Sequence, residues 1–598
     1  MQSIQELVRK AEENYVRGDT KISKYVDYSM YEVIETIYAY LNSKHISGST
    51  DSQGREKPFF NIVTAAVNIW YRATDIDRKN IRIKANKISD YTKGFLATVH
   101  LNSWMKKARF GQFLNEWGRA LSQYGSSVVK FVEKDGVLHA NVIPWSRLIV
   151  DSIDFGKNVK IEKLFFTPSE LRQQDKYDKT VVDNLIANVS QAREDLEGHK
   201  KDNMSDYIEV YEVHGEMPLS FLTDEDKDED TYRQQMHVIS FQEKKDKGGF
   251  EEFTLYSGKE AKDPYMLTHL IAEEGRTLSI GAVESLFDAQ WMQNHTIKNM
   301  KDQLDLASKL VFQTADANYT GRNVLTAIEQ GDILIHADNQ PLTQVNNGSH
   351  DIASLQAFAR EWKVLSQELT STPDAVRGNT MPSGTAYRQV AILNNEANSL
   401  FEIMVENKGL HLEDMLREFI IPHLKKQMNN GDEVAATLEA HDLTQIDSIY
   451  IPIAAKKAES RRVIGTLLEG GIPSPVDTAG AEAQIRQQLS TLGNTRFFTP
   501  DDAKKLNWNE IFKDFEWEVD VEITNENTDK EVVLTTLSTV LQNIAGNPEL
   551  LQDPNARMIF SRILEETGRI SPIEIAQAQA QPQASPPANG GAGVLPVA

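Results

Sequence analysis

The 598-residue chain contains no cysteine. That excludes a disulfide framework, a thiol nucleophile and thiolate metal sites together. No run of 18 apolar residues occurs, so no segment reads as a membrane-spanning helix and no membrane partner is expected. The first residues, MQSIQELVRKAEENYVRG, are charged throughout and lack the apolar centre of a signal peptide. A cytosolic origin fits these absences, as does a particle that must later survive outside a cell. Positive charge is also scarce: 64 Lys and Arg stand against 87 Asp and Glu, a net charge of −23. A protein that grips nucleic acid through counterion release presents a basic patch instead. An acidic surface repels phosphates, which suits a protein that lets nucleic acid pass without holding it.

Catalytic signatures are missing as well. There is no Gly-x4-Gly-Lys-Ser/Thr. Gly258-Lys259 is followed by Glu260 and has Phe253 where the first glycine should stand, so no ATPase is expected. His-Glu-x-x-His, Gly-x-Ser-x-Gly and Gly-x-Gly-x-x-Gly do not occur. The 13 histidines are scattered, and His336 and His350 lack metal-ligand spacing and read as surface or strand residues. TDEDKDED (223–230) lacks the sixth-position glycine and the closing glutamate of a calcium loop, so it reads as a solvated acidic turn. Gly378 and Gly384 bracket a loop with only Arg377 and Arg388 nearby, too little for a nucleotide cradle. No catalytic residue, cofactor or metal is expected. The enzyme reading that remains is an unrecognised carboxylate site.

What is present is periodicity. With 40% hydrophobic and 25% charged residues the composition is that of a globular protein, long enough for two to four domains. Residues 1 to about 55 look helical and then turn polar at NSKHISGSTDSQGREK, which reads as a flexible loop. PFFNIVTAAVNIWYRA (58–73) places Phe60, Val63, Val67 and Trp70/Tyr71 on one face of a core helix. A further helix ends near Tyr124-Gly125. A hairpin follows, Val128 to Val132 and Val137 to Ile143 joined through Lys134-Asp135-Gly136, with more strands at 206–214 and 235–242.

From residue 281 the pattern changes. Val283, Leu286/Phe287, Ile297, Met300, Leu304, Ala307 and Val311 form a stripe on a long helix without proline. An insert at 315–349 holds one strand signal, GDILIHA, and several turn clusters. Ser349 is a candidate N-cap for a second helix, with Ile352, Leu355, Phe358, Trp362, Leu365 and Leu369 on one face. The loop TPDAVRGNTMPS follows, and then a helix from about Ser383 to Leu424, roughly 60 Å long at 1.5 Å per residue, which Gly409 and Pro422 bend or end. Beyond 430 the expectation is a strand at 448–454, helices around 456–470 and 480–491, a strand at 516–524 and helix from 529 to about 568. The last residues, 571–598, are Ala/Gln/Pro/Gly-rich and read as a disordered tail.

Two long antiparallel helices separated only by a compact β insert look like a stalk with a cap. A stalk exposes too much apolar surface to be stable alone, so its stripes should pack on neighbouring copies. The plainer alternative is the core of a helical domain.

In the order of these parts the chain resembles the portal proteins of tailed bacteriophages. The nearest local likenesses are WGRALSQYGSSVVKF…VIPWSRLIVD and TPDAVRGNTMPSGTAYRQVAILNNEANSLF. The second is similar to the start of the long helix in podovirus-like and crAss-like portals. The resemblance implies an α+β portal fold: the N-terminal part of a mixed α/β wing (1–280), stem helices at 281–312 and 350–371, and a small α/β clip between them (313–349). It further implies a tunnel loop (372–383), a long wing helix (384–428) and a mainly helical wing or crown region (429–570). It implies a non-enzymatic ring of twelve subunits at one capsid vertex of the virion, assembled in the host cytoplasm. That ring would be the channel for genome packaging and ejection. Its partners would be the major capsid protein, the terminase large subunit that hydrolyses ATP during packaging, then head–tail adaptor and tail proteins. Double-stranded DNA would pass through without sequence readout. Arg377, Gly378, Asn379 and Thr380 would line the channel. Met300, Leu304, Trp362 and Leu365 would make stem subunit contacts. Lys298, Lys301 and Lys309 would face either DNA phosphates or acids of a neighbouring copy. The alternative class is another virion component, a head–tail adaptor or a scaffold-like assembly protein.

Overall fold

The computed structural model describes residues 4–84, 91–194, 207–222, 231–243, 250–307, 352–372, 387–427, 440–468 and 478–491, apart from positions 19, 25, 53, 77, 79 and 80. It also describes short strands at 312–313, 343–344, 434–437, 495–498 and 518–521 and isolated positions between them. The chain is a mixed helix-and-sheet protein of the α+β class, in two units: Met1–Ile76 with Phe110–His411, and Asp77–Arg109 with Leu412–Ala598. The first unit opens with α1 (Ile4–Arg17), β1 (Thr20–Ser23), β2 (Val26–Tyr28), α2 (Met30–Leu41) and α3 (Val63–Ala73). The elements β3 (Ile81–Lys84) and α4 (Tyr91–Lys107) belong to the second unit. The first resumes with α5 (Phe110–Tyr124), β4 (Ser126–Lys134), β5 (Val137–Ile143), β6 (Leu148–Ile149) and β7 (Lys160–Phe166). Next come α6 (Pro168–Gln173), α7 (Lys179–Glu194), β8 (Ile208–Pro218), β9 (Tyr232–Glu243), β10 (Phe250–Lys259) and β11 (Tyr265–His269). Then follow α8 (Phe287–Ala307), β12 (Phe312–Gln313), β13 (Thr343–Gln344), α9 (Ile352–Leu369) and α10 (Tyr387–Met415), within which the first unit ends. The second unit continues with α11 (Ile421–Gln427), β14 (Val434–Thr437), α12 (Ala440–Leu468), α13 (Thr478–Thr491), β15 (Thr495–Phe498) and β16 (Glu518–Val521).

Turn chemistry sets the hairpin of β4 and β5. Asp135 (φ 51°) and Gly136 (φ 73°) both adopt the left-handed conformation that a two-residue hairpin turn requires. The strand β4 is central in a three-stranded sheet ordered β11-β4-β5, and Tyr28, Met30, Ile34, Val128, Trp145 and Leu278 form the core against it. A five-stranded antiparallel sheet, β10-β9-β8-β7-β6, stands beside it. One of its faces is covered by Leu171, Val182 and Leu185 of α6 and α7, the other by Ile4 and Val8 of α1. Successive strand residues point to opposite faces. Accordingly Val210 joins the first cluster, and Tyr211 and Val213 the second.

The strand period also carries charge inward. Glu162 of β7 and Glu212 of β8 are direct cross-strand partners, a like-charge pair that is unfavourable by itself. Lys130 of β4 resolves it, its Nζ lying 2.7 Å from Glu162 Oε2 and 2.8 Å from Glu212 Oε2. His214 bridges Glu212 (2.7 Å) and Glu260 (2.9 Å), and the Tyr265 hydroxyl donates to Glu162 (2.7 Å). Lys130, Glu162, Glu212, His214 and Tyr265 are all buried.

Several sequence expectations are corrected. Residues 448–454, expected as a strand, lie inside α12, although Pro452 removes one donor there. The segment SIYIPIA is rich in β-formers, but its neighbours are good helix formers and α12 packs on α13, which overrides the local preference. The N-terminal region is not wholly helical, because β1 and β2 form a hairpin between α1 and α2. Phe60, expected in the core, is 47% exposed, whereas Val63, Val67 and Trp70 are buried. Within 1–280, Asp77–Arg109 groups with the C-terminal residues, and β3 pairs with β16 across more than four hundred residues. The acidic run 223–230, the strand signal GDILIHA, the helix expected at 529–568 and the tail 571–598 lie outside the described residues.

The long helix expected over 383–424 is present in two parts. A π-helical turn, Leu416–Ile420, separates α10 from α11 and ends two residues before Pro422. Proline cannot donate to the carbonyl four residues back and crowds it, and a wider turn relieves both problems. Pro422 therefore disturbs the helix without ending it.

Candidate functional site

The candidate site is built on α8 and α9. The chain enters α8 through a tight passage past the end of α5. Gly125 (φ +72°) caps that helix in the left-handed conformation. A Cβ on Gly281 would fall 2.4 Å from the Gln123 carbonyl oxygen, so neither glycine has room for a side chain. A 3-10 turn at Glu284–Leu286 then leads into α8.

α8 is fixed at its base by amides. Gln290 Oε1 accepts from the Ile62 N–H (2.9 Å), Gln290 Nε2 donates to the Phe60 carbonyl (2.7 Å), and Asn294 Oδ1 accepts from the Phe60 N–H (3.0 Å). Two side chains at i and i+4 thus satisfy the backbone groups of Phe60 and Ile62 that lead into α3. That Gln-x-x-x-Asn spacing is visible in the sequence, but its partner is more than two hundred residues away.

The polar loop 42–57, expected to be flexible, is tied to α8. Arg55 bonds Asp51 (2.9 Å) and Asp302 (3.3 Å), Lys301 Nζ donates to the Glu56 carbonyl (3.4 Å), and Thr50 bridges Glu56. Lys298 pairs with Asp302 (3.0 Å) and Asp51 (3.8 Å), acids of its own chain. Lys298 therefore already has carboxylate partners within the chain. Lys309 lies outside the described residues.

α9 packs back along α8 and against the 3-10 turn at its base, while β12 and β13 pair antiparallel at the other end, Phe312 with Gln344 and Gln313 with Thr343. The two helices are therefore antiparallel, and the insert between them is closed at its neck. Full burial on α9 falls on residues other than the expected apolar stripe. The residues of α9 that are buried are Ala359, Ser366 and Gln367, and Thr370 follows them. Of the expected stripe, Phe358, Leu365 and Leu369 are exposed, at 40%, 39% and 58%, and Ile352, Leu355 and Trp362 are half-buried. On α8 the stripe is covered at Leu286, half-covered at Met300 and open at Leu304, which is 53% exposed. Full burial on α9 thus falls on small and polar residues, while Phe358, Leu365 and Leu369 of α9 and Leu304 of α8 stay exposed.

The chain then leaves α9 anchored to α3. Trp70 Nε1 donates to the Thr370 carbonyl (2.9 Å), and Thr370 and Thr372 share a hydroxyl hydrogen bond (2.8 Å) with both residues buried. Past the loop, α10 returns to the same helix. Phe401 meets the Trp70 ring edge-on, and the buried Lys408 donates to the Thr74 carbonyl at the end of α3 (2.7 Å), with its Nζ 5.2 Å from the Trp117 ring centre. Burial pushes the Lys408 ammonium down to about 8, although Asp75 opposes the shift. The end of α9 and the later turns of α10 thus both contact α3. Arg377, Gly378, Asn379 and Thr380 lie outside the described residues.

Among the described residues no helix is long and apolar enough to cross a membrane. No protein-family model matches the chain, and no curated protein matches it.

Proposed function

We propose that the chain is the subunit of a portal ring of a tailed bacteriophage, a channel at one capsid vertex for genome packaging and ejection. The observation that carries this reading is the α8–α9 hairpin. Two antiparallel helices pack along each other, enclose a neck-closed insert and leave Phe358, Leu365, Leu369 and Leu304 exposed. An apolar stripe of that length on a helix pair is stable in water when another copy covers it. In a ring, the loop between α9 and α10 would point inward, and the net charge of −23 favours passage of DNA over retention. The terminase motor and then the adaptor proteins would dock at the insert, and the DNA would be contacted without base readout.

The test is deletion of Val376 to Met381. Subunit folding and ring formation should survive, because the anchors Thr370, Thr372 and Lys408 lie outside the deletion. Encapsidated DNA per particle should fall in a complementation assay. Normal genome content in deletion particles would remove the loop from the channel.

A further inference from the structure

A second apolar feature lies on the other helix of the hairpin. Trp291 of α8 is 58% exposed and stacks flat on His295, with ring centres 5.3 Å apart and planes at 5°. The pair forms one wall of a groove of about 430 Å³, whose opposite wall is His45, Ile46, Lys57 and Pro58. Ile46 is 63% exposed. No residue of α9 lines the groove, so it and the α9 stripe are separate surfaces of one hairpin.

The two surfaces are level with each other. Trp291 lies five residues beyond the 3-10 turn at the base of α8, roughly 7 Å along the axis. α9 runs antiparallel and packs on that same turn, which puts Leu365 and Leu369, in its last turns, at the same end of the hairpin. Their charges are complementary. Glu361 and Glu368 stand at i−4 and i+3 from Leu365 and are exposed beside the stripe. At the groove, Lys57 Nζ donates only to uncharged oxygens among the described residues: Ser47 Oγ (3.1 Å), the Ser47 carbonyl (3.3 Å) and the Gly48 carbonyl (3.1 Å). His295 and His45, whose Nε2 meets the Pro58 carbonyl (3.2 Å), complete its rim.

We infer that the Trp291 groove is the socket for a second copy of this chain, taking Leu365 and Leu369 of the neighbour's α9, with the neighbour's Glu361 and Glu368 facing Lys57 and the histidines. The contact is heterologous: each copy offers a stripe on one helix and a socket on the other. Repeated with a rotation that closes, such a contact gives a ring, whereas an isologous contact stops at a dimer. This inference deepens the ring reading and rests on it.

The absence of cysteine makes the test clean. Ile46→Cys and Leu369→Cys, combined in one full-length chain and mildly oxidised, should give a covalent ladder on a non-reducing gel that extends to the ring size. Each single variant should stay monomeric on the same gel. In parallel, Lys57→Glu should raise the concentration for half-assembly by roughly tenfold or more, and Glu368→Lys in the same chain should restore it. Disulfide dimers from either single variant would mean an isologous contact and overturn the inference. Rings of normal mass with no ladder and no charge rescue would overturn it while leaving the ring reading standing. Absence of any large assembly in the parent chain would overturn both.

Discussion

Replacing Leu365 with Asp should abolish assembly and leave the subunit folded. In the single chain Leu365 is 39% exposed on the outward side of α9, and substitutions at such positions usually change stability by no more than about 0.5 kcal/mol. In a contact between copies the same carboxylate would be buried without a partner, at a cost of about 3–5 kcal/mol per contact. A closed ring repeats that cost at every interface. Leu304→Asp, at the open end of the α8 stripe, should behave in the same way. Sedimentation and negative-stain imaging would report assembly, and thermal unfolding of the isolated subunit would report the fold. Normal rings from both variants would show that the stripes do not meet neighbouring copies.

The largest effect on subunit stability is expected at Lys130. Lys130→Met keeps the approximate volume but leaves Glu162 and Glu212 opposed across two strands with no ammonium between them. Removing one partner of a buried ion pair costs about 3–5 kcal/mol. The variant should unfold at clearly lower denaturant concentration by a probe in the first unit, such as fluorescence of the buried Trp117 and Trp145. The pH dependence gives an independent reading. Burial alone would raise the Glu212 carboxyl, but the hydrogen bond from His214 and the charge of Lys130 outweigh it and hold the group down at about 2. Its folded value is below its ordinary value of 4.5, so the stability it contributes is present above pH 4.5 and is lost as pH falls from 4.5 towards 2. Without Lys130 that acid limb should move to higher pH. His214 works in the opposite sense. Burial lowers it, yet its bonds to Glu212 and Glu260 raise it overall, so its contribution is complete below pH 6.5 and declines as pH rises through its folded value. An unchanged acid limb in Lys130→Met would show that the lysine does not hold Glu212 ionised.

The β4–β5 hairpin was legible in the sequence because Asp135-Gly136 dictates a turn through local sterics alone. The helical periods of α8, α9 and α10 were legible for a similar reason. The strands β7 and β11 were not. In β7 the inward positions Lys160 and Glu162 are charged, and their partners Asp263, Lys130 and Tyr265 come from distant segments, so the alternation that marks a strand is hidden. The helix α6 carried an overlooked local signal, Thr167 and Glu170 forming a capping box around Pro168. The candidate site was half visible. Periodicity identified the face bearing Leu365 and Leu369, but a period states only that a face is apolar. Whether the same chain or another copy covers it depends on the alternative face, and Ala359, Ser366 and Thr370 are too small and polar to stand out as a packing surface. The Trp291–His295 stack and the amide clamp of Gln290 and Asn294 were missed because each takes its meaning from residues 45–62. The roles of Lys298 and Lys301 were undecidable from sequence for the same reason, since Asp51 and the Glu56 carbonyl are remote in the chain.

The central claim is that this chain closes into a ring through α8 and α9. Native mass measurement of the purified full-length protein, across a range of concentrations, addresses it most directly. A single large species should appear, a whole-number multiple of the 67.4 kDa subunit near twelve, and a central channel should be visible when the same sample is imaged. A monomer or dimer persisting at the highest concentration would contradict the account.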